Sequence, residues 1–197
     1  VGRIENVHLW PFWNGDKPVE KFIKENAIGF IIGRTDWEYI TNCFTIWYNI
    51  GFRFVKTNDW CGNVLLTQSG ADICETAVLV DEVQGHAGIS FVNSQLFGRV
   101  VVKPTNSGPV RFSGCGLFGA TAGNPEDASH VDFSGTGHLS FENCHFIKLD
   151  PNNRGETVIR AQGGSLSVAN CLFMNDEKTQ IELGPGVMAA AIIGNKF

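Results

Sequence analysis

Leu139-Ser140-Phe141-Glu142-Asn143-Cys144-His145-Phe146 is the stretch on which the fold turns. Read alone it is a strand with a kink. Leu166-Ser167-Val168-Ala169-Asn170-Cys171-Leu172-Phe173 nearly repeats it, and weaker copies run back to Ile4. A unit recurring every few tens of residues is the signature of a solenoid. Aligned on the apolar anchor, the copies begin at Ile4, Ile40, Phe91, Phe112, Phe141, Val168 and Ile192. Two residues on stand Asn6, Asn42, Asn93, Gly114, Asn143, Asn170 and Gly194. Asn and Gly are the residues that best tolerate a left-handed backbone. Each unit is therefore two short strands joined by a sharp bend.

The gap between Ile40 and Phe91 is close to two repeats. An eighth copy fits there, with Val64-Leu65-Leu66-Thr67 and Asp72-Ile73-Cys74 as its strands and Ser69-Gly70 between them. The mean spacing becomes roughly 27 residues, within the solenoid range. A third strand precedes each unit, with candidates such as Ile28 to Ile32, Val100 to Lys103 and Val131 to Ser134. Three short strands per repeat make one coil of a parallel β-helix, with coils stacked about 4.8 Å apart. The expected fold is one all-β domain, a single-stranded parallel β-helix of about eight coils. Its inward Phe and Ile form one ladder and its Cys column a second. Its Asn column forms a ladder of side-chain amides along one corner. Two segments depart from the pattern. Val19 to Asn26 has the spacing of a short amphipathic helix on the side of the solenoid, and Ala120 to Ser129 reads as a polar protruding turn.

The repeated octet and its stacked Asn resemble the right-handed β-helices of the pectate-lyase-like superfamily. The segment His8-Leu9-Trp10-Pro11-Phe12-Trp13 is similar to one in uncharacterised bacterial members. The resemblance covers all the coils, but it is one of fold. It implies a substrate groove floored by one sheet and, for a lyase on uronate polymers, a basic residue with calcium held by carboxylates. The clustered Asp motifs of polygalacturonases are not present.

Composition narrows the functional classes. Gly numbers 23 and Phe 15 while charged residues are 18%, which suits many turns around a β-rich interior. The net charge of −5 disfavours nucleic acid and anionic membrane as partners. No apolar run approaches a bilayer span. The chain opens at Val1 on a strand pattern and stops at Phe197 inside another copy. It therefore reads as part of a longer protein, secreted or at the cell surface. Solenoid ends must be covered, so flanking domains or a homo-oligomer are expected there. The six cysteines make no CxxC or zinc spacing and read as core. No nucleophile elbow, P-loop or dinucleotide fingerprint occurs.

The tryptophans carry the functional signal. Trp10, Trp13, Trp37, Trp47 and Trp60 all fall in the first 60 residues. Sugar rings present flat C–H faces that pack on aromatic rings, so polysaccharide is the expected partner and Trp10, Trp13, Trp37 and Trp60 its contacts. Trp47, on a strand, reads as core. Arg34-Thr35-Asp36-Trp37 and Lys56-Thr57-Asn58-Asp59-Trp60 place two Trp at one turn of consecutive coils. Stacking would set Asp36 about 5 Å from Asp59, with Arg34 and Lys56 alongside. Two carboxylates about 5–5.5 Å apart suit a retaining glycosidase, and these four residues are the candidate catalytic set. The alternative is that each Asp caps its own turn and pairs with its own Arg or Lys. A second candidate groove uses outward Asp132, Arg160 and Glu182 on the third strands, against plain cross-strand charge pairing. No metal or other cofactor is expected, save calcium if the protein is a lyase. Two functions stay open: a polysaccharide hydrolase or lyase, and a non-catalytic glycan-binding or structural module of a surface or phage-tail protein.

Overall fold

The structure is a computed structural model and describes residues 1–11, 17–119, 129–147, 157–174 and 179–197. The Ala120 to Ser129 turn, apart from Ser129, lies outside the described residues, as does Trp13. The chain is a parallel β-solenoid with three faces. The first face stacks Gly2–Glu5, Glu38–Thr41, Val64–Thr67, Ile89–Val92, Val110–Ser113 and His138–Glu142. The second stacks His8–Leu9, Phe44–Ile46, Gly70–Asp72, Gln95–Phe97, Gly116–Phe118, His145–Ile147 and Leu172–Met174. The third stacks Ile28–Ile32, Ile50–Phe54, Thr76–Val80, Arg99–Val102 and Val131–Phe133. Two long strands, Ile159–Ala169 and Ile181–Ile193, turn the corner between third and first faces and unite them in one 13-stranded sheet.

All the anchors fall in register, from Ile4 through Ile40, Leu66, Phe91, Phe112, Phe141 and Val168 to Ile192. The solenoid makes about six turns where eight were expected. The copies at Ile4 and Ile192 supply end strands that have a neighbour on one side only among the described residues. The hidden copy is real, but its second strand is Gly70–Asp72. Its bend falls on Gln68, at φ 51°, and not on Ser69-Gly70.

The corner column is left-handed throughout. Asn6, Asn42, Gln68, Asn93, Asn143 and Asn170 have φ between 49° and 58°, and Gly114 and Gly194 have φ 62° and 67°. Asn42 Nδ2 donates to Asn6 Oδ1 at 2.7 Å, one rung of the expected amide ladder. Because the backbone demands φ > 0, Asn143→Ala should cost about 1–2 kcal/mol while Asn143→Gly costs a few tenths. Urea unfolding would compare the two, and equal losses would point to the amide and away from the backbone.

The core is built from aromatic stacks. Phe91, Phe112 and Phe141 stack at 5.1 and 4.9 Å between ring centroids. Phe146, Phe173 and Phe197 do so from the second face at 4.6 and 5.0 Å. Phe141 meets Phe146 edge-on at 5.2 Å, tying the two stacks together. The cysteines are all free and buried, as expected. In their column one side chain accepts the backbone N–H of the coil before it. Cys43 N–H donates to Ser69 Oγ at 3.2 Å and Cys144 N–H to Cys171 Sγ at 3.4 Å. Cys171 N–H donates to Asn195 Oδ1 at 2.8 Å. Cys, Ser and Asn interchange there because each supplies a small acceptor. Burial pushes the thiols of Cys61 and Cys74 up to about 12, which keeps them protonated and unreactive at neutral pH.

The helix is Lys17–Asn26, and none of its residues is buried. Its C-terminal turn is tied to the solenoid by Asn49, whose N–H donates to Ile23 O and whose Nδ2 donates to Glu25 O.

Candidate functional site

The site is built at the corner where the third face passes to the first. The isolated bridges Thr35↔Cys61 and Cys61↔Val83 fix the register there. Thr35 follows the paired residue Ile32 by three positions and Val83 follows Val80 by three, but Cys61 follows Phe54 by seven. The middle coil therefore carries a longer turn, Val55 to Trp60, that stands out from the corner.

That turn is held by one carboxylate of the next coil. Glu82 Oε1 accepts from Trp60 Nε1 at 2.6 Å and from Lys56 Nζ at 3.0 Å. Lys56 Nζ also sits 4.5 Å from the centroid of the Trp60 ring. The Lys56 hydrogen bond, with help from Trp60, holds the Glu82 carboxyl below its usual range. Trp60 is thus fixed in orientation yet 42% exposed. Beside it lies a depression of about 340 Å³ lined by Arg34, Thr35, Asp36, Asp59, Trp60 and Gln84. Gln84 Oε1 is buried there without a hydrogen-bond partner among the described residues. Trp37 and Tyr39 extend the aromatic surface onto the first face, with ring centroids 6.5 Å apart and exposures of 42% and 37%.

The expected stacking of Asp36 on Asp59 is corrected. Thr35 aligns with Cys61, so Asp36 falls in line with Gly62 and Asp59 falls three residues earlier. The longer turn moved the register. Both acids still line the one depression. Asp59 is neutralised across coils by Arg34, with Nε to Oδ2 at 3.1 Å. Lys56 pairs with Glu82 and not with Asp59. The pairings are thus between coils, where the turn-capping alternative put each within its own turn. Asp36 has no ion-pair partner among the described residues.

Trp10 is 48% exposed but follows the second-face strand and takes no part in the depression. Trp47 is corrected as well. It is half-buried at a corner, in a left-handed conformation at φ 64°, with Lys24 Nζ 3.9 Å from its ring centroid. Glu82, Gln84 and Tyr39 were not anticipated. The signal for Glu82 was its place one coil beyond Lys56, which needs the register to be seen.

The second candidate groove is in register as expected, Asp132↔Arg160↔Glu182 on consecutive coils. Its charges are closed by cross-coil pairs. Arg160 Nε meets Glu182 Oε2 at 3.1 Å, and Asp132 is bound by Arg99 and by the Ser129 hydroxyl. Earlier on the same face Arg53 meets Asp81 at 2.7 Å. Calcium takes six to eight oxygen ligands, and carboxylates already held by guanidinium groups do not fit that demand. Among the described residues no group of three or more His, Cys, Asp or Glu is placed to hold a metal ion. Burial pushes the carboxyls of Asp72 and Glu75 up, with Arg99 opposing the shift at Glu75.

No protein-family model matches the chain, and no curated protein or solved structure matches it either.

Proposed function

We propose that this solenoid is a carbohydrate-active protein that binds polysaccharide at its N-terminal coils, as a secreted or cell-surface member of the pectate-lyase-like superfamily. The observation that carries the reading is Trp60. Its ring is locked by Lys56 and Glu82 but left open to solvent beside a polar depression. A fixed aromatic plane loses little entropy on stacking against a sugar C–H face. Arg34, Asp36 and Asp59 supply donors and acceptors for hydroxyls next to it. Trp37 and Tyr39 offer a further contact along the same edge.

Binding is favoured over catalysis because Asp59 is already paired with Arg34. A hydrolase remains the second reading, since Asp36 and Asp59 share one open depression with a Trp. Affinity electrophoresis against a polysaccharide panel tests the first reading. Trp60→Ala should weaken retention by about tenfold or more. Retention of every panel member unchanged in Trp60→Ala and Trp37→Ala would sink it. Product analysis with the Asp36→Asn, Asp59→Asn double variant tests the second. Release of oligosaccharides by the parent chain and none by the variant would move the assignment to hydrolase.

A further inference from the structure

The second face carries a hollow of different chemistry. Its outward positions run His8, Phe44, Gly70, Gln95, Gly116 and His145 in register. Gly70 contributes no side chain, so a gap about two strand spacings wide, roughly 9–10 Å, opens between the backbones of Phe44 and Gln95. The Phe44 ring leans into it, with Cδ2 3.0 Å from where a β-carbon on Gly70 would stand. The His8 ring meets Phe44 edge-on, with centroids 5.9 Å apart and planes at 67°. On the other side is the left-handed corner, which brings Gln68 and Asn93 to the rim. The hollow is about 440 Å³, within the range of small-molecule sites.

Its lining contains no Asp, Glu, Lys or Arg. The side-chain amides of Gln68 and Asn93 have no hydrogen-bond partner among the described residues, while the Gln95 carboxamide reaches away from the hollow, over Gly116. An ionic ligand would meet no counter-charge here and lose hydration. A wholly apolar ligand would strip water from two amides and pair neither of them. A pyranose satisfies both halves, with one C–H face for an aromatic ring and hydroxyls on its rim for amides. We propose that this hollow is a subsite for one uncharged sugar residue, stacked on Phe44 and hydrogen-bonded by Gln68 and Asn93. The proposal extends the glycan reading to a second place on the molecule, but it rests on none of the residues around Trp60.

The test is an NMR titration of the isotope-labelled 197-residue chain with methyl glycosides of glucose, galactose, mannose and N-acetylglucosamine, and with methyl glucuronide. At least one neutral glycoside should give saturable shifts at Gln68, Gly70 and Gln95, with the glucuronide binding about fivefold more weakly or worse. Phe44→Ala should weaken binding about tenfold. Gly70→Val, whose side chain fills the gap beside the Phe44 ring, should do the same. Gln68→Gly suits the left-handed backbone, so it keeps the fold and should cost about threefold. Trp60→Ala should leave these shifts within about twofold. No saturable shift with any neutral glycoside would overturn the proposal, as would equal binding of the glucuronide. So would unchanged binding in folded Phe44→Ala. If Trp60→Ala abolishes the shifts, they belong to the other site and the proposal fails while the Trp60 reading stands.

Discussion

Phe141→Ala is expected to lower the unfolding free energy by about 3–5 kcal/mol. Phe141 is fully buried and belongs to the repeated unit that organises the chain. Its ring stacks on Phe112 at 4.9 Å and meets Phe146 edge-on at 5.2 Å. Truncation removes contacts within its own stack and between the stacks of two faces. The ladder limits relaxation, because neighbouring coils are pinned in register by backbone hydrogen bonds on both sides. The cavity should therefore stay largely open, which puts the cost at the upper part of the range for Phe→Ala. Phe22→Ala on the helix is the control. That ring is 62% exposed, so its loss should stay within about 0.5 kcal/mol. Chemical unfolding followed by Trp fluorescence measures both, and comparable losses at the two positions would refute this account of the core.

His130 should give the chain an acid-sensitive stability. The residue is 1% exposed, and neither ring nitrogen has a hydrogen-bond partner among the described residues. Burial, with the nearby charge of Arg99, pushes its pKa down from 6.5 to about 3. The unfolded chain takes up a proton at this ring below pH 6.5, while the folded chain does so only below about 3. Between those values the unfolded state binds the extra proton, so stability falls as pH falls. One proton corresponds to about 1.4 kcal/mol per pH unit. His130→Leu removes the titration and keeps an apolar side chain of similar bulk. Unfolding free energies measured at about pH 7, 5.5 and 4 should then diverge between parent and variant with that slope. Parallel curves would show that His130 is not buried neutral.

Much of the fold was legible because a solenoid writes its geometry into every repeat. A left-handed residue at each corner, an apolar anchor two positions before it and a small acceptor one position after it are local demands. Each coil must meet them separately. Even the divergent copy was found, although Gln68 disguised its bend. Trp47 was misread for the converse reason. A Trp with φ > 0 is uncommon, and nothing in the flanking residues signals that Lys24 of the helix will cover it.

The candidate site was half legible. Trp37 and Trp60 were expected at the surface, and both are exposed. The residues that form the depression were largely named, but their pairings were not. The turn before Cys61 is four residues longer than its neighbours, and that length cannot be read until the bridges on either side of it are known. Spacing of 23 residues suggested Asp36 over Asp59, whereas backbone pairing sets the step from Thr35 to Cys61 at 26. Three residues of slip change which acid meets which base.

By itself the sequence determined the β-solenoid, its corner ladder of Asn and Gly, its buried Phe and Cys columns, and the concentration of Trp in the first coils. These follow from backbone preference and burial, which act within a single coil. Only the tertiary structure decided that Arg34 pairs with Asp59, that Glu82 clamps Trp60 and Lys56, and that Gly70 opens a hollow under Phe44. Those contacts join residues of different coils. Their partners are set by register and turn length, which emerge only when the coils are stacked.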